Sequence, residues 1–149
     1  DEVTGLRKAL EDERHRAAGG SVEALMSHAR EVGGLRMLSG RTEAADIGTL
    51  RSQADRLRDL LVSGAGALGA VVDGSNVVIA VVTKDLASAG KLSAGDLVRR
   101  MAGIMGGKGG GRPHLAQAGG GDPDKLEEAL EGFYAIAEEM LRKGDAAGV

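Results

Sequence analysis

The chain has 149 residues, 42% hydrophobic and 28% charged, with a formal net charge of −3, which is room for one globular domain plus an appendage. It has no cysteine, which excludes disulfides and thiolate metal sites and suits a reducing cytoplasm. No apolar run approaches the ~20 residues that span a bilayer, no signal-peptide pattern is read at the start, and the acidic balance argues against a generic charge-driven nucleic-acid binder.

The chain opens on Asp1 inside a charged helical pattern and reads as a piece cut from something longer. Val3, Leu6 and Leu10 recur at spacings of three and four among charged neighbours, the pattern of a helical hairpin or the end of a coiled coil. Glu13 occupies the next seam position, so a solvated surface helix fits equally well. Gly19-Gly20 ends this arm. Ser21 is placed to N-cap a short helix carrying Val22, Leu25 and Ala29 on one face. Gly33-Gly34 closes it or makes a tight turn, and 35–41 reads as a strand of imperfect alternation.

Asp46 is expected to cap an amphipathic helix whose Ile47, Leu50, Ala54, Leu57 and Leu61 form one buried stripe. Arg51, Arg56 and Arg58 lie off that stripe and read as a solvated face. Residues 67–72 and 77–83 are apolar runs around Asp73-Gly74-Ser75-Asn76, a turn signal. They predict a hairpin of central strands covered on both faces. Lys84-Asp85 stands at the strand end. Ser93 and Asp96 resemble a capping box for a helix that buries Leu97, Val98, Met101, Ile104 and Met105. Asp122-Pro123 begins the last helix, with Leu126, Leu130, Phe133, Ala137 and Leu141 inward and a frayed tail from Asp145. Phe133 and Tyr134 are the chain's aromatic residues, so Val, Leu, Ile, Met and Ala must build the core. The expected fold class is α/β, a small mixed β-sheet with flanking helices and an N-terminal helical arm. Residues 1–33 form the arm and connector, and 34–149 the globular domain.

Between the last two helices runs Gly106-Gly107-Lys108-Gly109-Gly110-Gly111-Arg112-Pro113-His114-Leu115-Ala116-Gln117-Ala118-Gly119-Gly120-Gly121. Glycine loses more backbone freedom on folding than any other residue, so such a run is costly to order. Its two cations and its proline favour an ordered binding loop over a spacer. A Walker A reading fails, because Ala102 stands where the first glycine belongs and Gly109 where the hydroxyl belongs. A dinucleotide fingerprint fails too: Arg112 occupies the third glycine position, and the run follows a helix. What remains is a loop whose N–H groups, with Lys108 and Arg112, can hold phosphate or sugar oxygens. His15, His28 and His114 lack metal-ligand spacing, Asp73 and Asp85 read as turn caps, and no catalytic constellation stands out. The residues describe a binding module.

The glycine run closely resembles a signature near the C-terminus of alanyl-tRNA synthetases, with His114 and Leu115 where that family commonly has Asp and Met. The stretches 35–41, 50–61, 68–82, Thr83-Lys84-Asp85-Leu86 and Ala94-Gly95-Asp96-Leu97-Val98 resemble the same domain. The resemblance implies the DHH-associated fold and a non-catalytic domain that binds the outer corner of tRNA-Ala and helps couple aminoacylation with editing. It implies no cofactor here, since ATP, Mg and Zn belong to other domains of such an enzyme. It implies partnership with those domains, a cytoplasmic location, and an arm that can mediate dimerisation. Lys108 and Arg112 are the first candidates for RNA contact, with Gly109, Gly110, Gly111, His114 and Gln117 of the loop. Lys84, Arg99 and Arg100 extend the patch by their order along the chain. The alternatives are a structural dimerisation module carried by the arm around Val3 to Leu10, or the substrate-binding domain of a DHH-type phosphoesterase acting on nucleotides or oligonucleotides. That family's loop is shorter, and its Asp-His-His metal domain has no counterpart in this sequence.

Overall fold

The computed structural model describes residues 21–42, 44 and 46–147; the arm expected before Ser21 lies outside them. In chain order the elements are α1 (Ser21–Met26), β1 (Arg30–Val32), β2 (Leu35–Arg41), α2 (Ile47–Leu61), β3 (Gly64–Val72), β4 (Ser75–Val82), α3 (Lys84–Ser88), α4 (Ala94–Met105), β5 (Lys108–Gly111), β6 (Leu115–Gly119) and, after a 3-10 turn at Pro123–Lys125, α5 (Leu126–Ala147). The six strands form one sheet in the order β1-β2-β3-β4-β6-β5. The β2–β3 pair is parallel, its crossover made by α2, and the other neighbouring pairs are antiparallel.

Period-two alternation divides the apolar strands between two cores. Val78, Ala80 and Val82 of β4 enter the core beneath α4 and α5, with Met101, Phe133 and Ala137. Val77, Ile79 and Val81 enter the other, with Leu50, Leu57 and Leu61 of α2. This explains the unbroken hydrophobicity of the hairpin: both faces of its strands are covered. The β3–β4 turn is Asp73-Gly74 alone, both at positive φ, as a type I′ hairpin requires. Gly33-Gly34 makes an equivalent turn between β1 and β2, so residues read as connector before position 34 contribute an edge strand to the sheet.

Several local expectations change. The glycine run is not a loop but a β-hairpin, β5 and β6, completing the sheet beside β4. Glycine and alanine carry no strand pattern of their own, and tertiary packing makes the choice. Asn76 is not a turn residue: it is fully buried, its Nδ2 donates to the Asp122 carbonyl at 2.8 Å, and its own carbonyl accepts from the Gly120 N–H at 3.0 Å. Ile47 is 40% exposed, because it lies on the shoulder of the stripe centred on Leu50, Leu57 and Leu61, and Gln53 is buried instead. The Ser93 side chain makes no cap bond, and Asp96 pairs with Arg99 at 2.7 Å. The helix α5 continues through Asp145 to Ala147.

Two tight features frame the connections. Leu61-Val62-Ser63 ends α2 in a γ-turn, with Val62 at φ 62° and ψ −61° and the Ser63 N–H donating to the Leu61 carbonyl at 2.6 Å. This is the rare, strained form of that turn. Tyr134 fastens α5 to β2: its hydroxyl accepts from the Ser39 N–H at 2.8 Å and donates to the Ser39 carbonyl at 3.2 Å.

Candidate nucleic-acid interface

The β5–β6 turn carries Arg112, Pro113 and His114, and backbone bonds hold it on three sides. The Arg112 N–H donates to the Leu115 carbonyl at 3.0 Å, closing the turn. The carbonyls of Arg112 and Pro113 accept from the Gly95 and Ala94 N–H groups at 3.2 and 2.8 Å, and the His114 carbonyl accepts from the Val82 N–H at 3.0 Å. The first N–H groups of a helix have no intrahelical partner. Here the turn supplies their acceptors, which is why Ser93 need not. The close approach demands glycine: a Cβ on Gly95 would sit 2.8 Å from the Gly111 oxygen, and one on Gly111 would sit 2.7 Å from the Ala116 Cα.

With its carbonyls engaged inward, the turn presents side chains outward, where two clefts meet at His114. One, of about 600 Å³, is lined by Arg58, Val82, Lys84, Ala87, Pro113 and His114 among others. The second, of about 480 Å³, is bordered by Arg51, Gly110, Arg112, His114 and Gln117. Arg51, Lys84 and Arg112 have no ion-pair partner among the described residues. Arg58 has a long, exposed one, Asp55 at 3.7 Å, and such surface pairs hold a guanidinium weakly. Asp85 follows Lys84, and the Ser63 hydroxyl donates to its carboxylate at 2.6 Å. That bond, and then one from Thr83, holds the Asp85 pKa below its ordinary value.

Arg112, His114, Gln117 and Lys84 therefore converge, Lys84 from β4's far end by way of α3. Lys108 does not join them. It opens β5 opposite Gly119, four residues from Arg112 and so about 13 Å away at strand rise. Gly109, Gly110 and Gly111 lie opposite β6 as an extended strand at the sheet edge, so they do not form a curled loop of converging N–H groups. Arg99 lies over Gly110 but is paired with Asp96, and Arg100 reaches α5, paired with Glu139 at 2.9 Å. The sequence reading missed Arg51 and Arg58 as site residues. Their seven-residue spacing puts both on one line of α2, a signal that acquires meaning only once α2 is known to flank the β6 turn. Among the described residues no group of three or more His, Cys, Asp or Glu could hold a metal ion. No described helix is long and apolar enough to cross a membrane.

The profile of the DHHA1 domain matches residues 34–139. The alanine–tRNA ligase of Anaeromyxobacter dehalogenans is 45% identical over 139 residues, covering 93% of this chain and 15% of that protein. That of Pelotomaculum thermopropionicum is 46% identical over 140 residues, 94% of this chain and 16% of that protein. This chain thus spans about a sixth of the length of those relatives. Among solved structures, the C-Ala domain from Aquifex aeolicus alanyl-tRNA synthetase superposes with a TM-score of 0.66 at 28% identity, over 74% of this chain and 97% of that one. A DHH domain from a family of ribosomal proteins shares the fold, with a TM-score of 0.55 at 13% identity over 92% of this chain and 33% of that one.

Proposed function

This chain belongs to the DHHA1 domain family, and from that membership we propose that it is the tRNA-contacting C-terminal domain of an alanine–tRNA ligase, non-catalytic by itself. One observation carries the reading. On a chain of net charge −3, the fold draws Arg51, Arg58, Lys84 and Arg112 from three separate parts of the sequence onto two clefts that share His114. The likeness to the C-Ala domain supports it. Cations with no strong carboxylate partner, gathered around a rigid turn, suit contact with a folded RNA through its backbone and shape. The RNA is tRNA-Ala, touched at its outer corner, in the cytoplasm. The acidic body keeps the isolated domain's affinity modest, and linkage to the aminoacylation and editing domains raises the effective concentration. ATP, Mg and Zn serve those other domains, and the N-terminal arm provides a dimer contact.

The test is the affinity of the chain for tRNA-Ala at two salt concentrations, beside a Lys84→Ala, Arg112→Ala double variant and a Lys108→Ala variant. Removing one cation that neutralises a phosphate should lower the log–log salt slope by roughly 0.7–0.9. The double variant should bind more weakly with a shallower slope, and more so than Lys108→Ala. Equal binding by the wild type and the double variant refutes the interface.

A further inference from the structure

Resting on that reading, we infer that the cleft between Arg58, Lys84 and His114 receives a single unstacked nucleotide of the bound RNA. A surface that only follows phosphates needs charge and little depth. This one also has room: its open cleft is about 600 Å³, within the roughly 300–1,000 Å³ typical of small-ligand clefts. Its wall has two kinds of chemistry. Ala87 and Pro113 are apolar, while the Val82 side chain is turned into the core; Arg58, Lys84, Ser88 and His114 are cationic or polar. A nucleotide has the same two halves, an apolar base face and a charged phosphate.

The aromatic residues of the chain cannot serve as the stacking platform. Phe133 is fully buried and Tyr134 packs beside it, in the core under α4 and α5. Stacking falls to the His114 imidazole and the Arg58 guanidinium plane, both of which accept splayed bases in RNA recognition. The carbonyl of His114 is fixed to Val82, so the ring stands on an immobile base. Arg51 and Arg112 line the adjoining cleft, on the path that the phosphates flanking an extruded nucleotide would take. The domain is then built for RNA that displays an unstacked base, as loops and tertiary corners do, and not for smooth duplex.

The experiment has two arms. In the first, a nucleoside monophosphate and inorganic phosphate are titrated separately against the isotope-labelled chain. The monophosphate should move the amide resonances of Val82, Ala87 and His114, and an Arg58→Ala, His114→Ala double variant should abolish the response. Phosphate alone should bind more weakly, since it lacks the base. In the second arm, a stem-loop and a duplex with the same number of phosphates are compared at one salt concentration. Stacking of one base is worth roughly 5- to 150-fold in affinity. The stem-loop should bind the wild type at least about fivefold more tightly, and the double variant should bring the two within about twofold. Resonances left unmoved by the monophosphate, with stem-loop and duplex bound equally, overturn the nucleotide pocket and leave the RNA interface standing. A monophosphate response without binding of either RNA supports the pocket and refutes the interface. A stem-loop preference that survives the double variant also overturns the pocket, because the base is then read elsewhere.

Discussion

Replacing Val62 with glycine should make the protein more stable, which is unusual for removing a hydrophobic side chain. Val62 holds φ 62° and ψ −61° at the end of α2, a conformation that a β-branched residue reaches only under strain. Strain of this kind costs about 1–3 kcal/mol, and glycine is largely free of it. Two terms oppose the gain. Glycine loosens the unfolded chain, at about 0.5–1 kcal/mol. The side chain is 79% exposed, so about a fifth of a valine's burial is given up, roughly 0.3–0.6 kcal/mol. Taking the middle of each range leaves a net gain of about 1 kcal/mol, or roughly 3 °C in Tm for a chain of this size. The assay is urea and thermal unfolding of wild type, Val62→Gly and Val62→Ala. Alanine keeps most of the positive-φ penalty and should show little or no gain. A Val62→Gly protein less stable than wild type, or an alanine variant that gains as much as glycine, would refute the reasoning.

Asn76→Ala removes a fully buried side chain whose amide donates to the Asp122 carbonyl in a part-buried hydrogen bond. It should lower unfolding free energy by about 1–3 kcal/mol, read from the shift of the urea midpoint at unchanged m-value. Asp46 accepts from the Thr49 N–H at 2.7 Å, which holds its pKa below the ordinary 3.8. A carboxylate with a depressed folded pKa adds stability at neutral pH that is lost as pH falls below 3.8 and through the folded value. Asp46→Asn keeps a capping acceptor without the ionisation, so the stability gap between it and wild type should narrow over that acid range. A gap that stays constant from neutral pH to strong acid would exclude the charge-assisted cap.

The helix α2, the hairpin β3–β4, its Asp73-Gly74 turn and α5 were readable from periodicity and turn chemistry, because each is decided by residues close in sequence. The resemblance of the glycine run also identified the family, since a motif is a string and needs no geometry. Four conclusions came only from the tertiary structure. Residues 108–119 pair as strands because α4 and β4 leave a sheet edge for them, and no local preference of glycine says so. Asn76 is buried because the chain returns past it at Gly120 and Asp122. Lys108 is parted from Arg112 by the length of a strand. Arg51 and Arg58, which read as a solvated face, border the β6 turn because strand order sets β6 beside β4, across which α2 lies. Periodicity reports which face of an element is apolar. It does not report which elements become neighbours, and a binding cleft between elements is a property of neighbours.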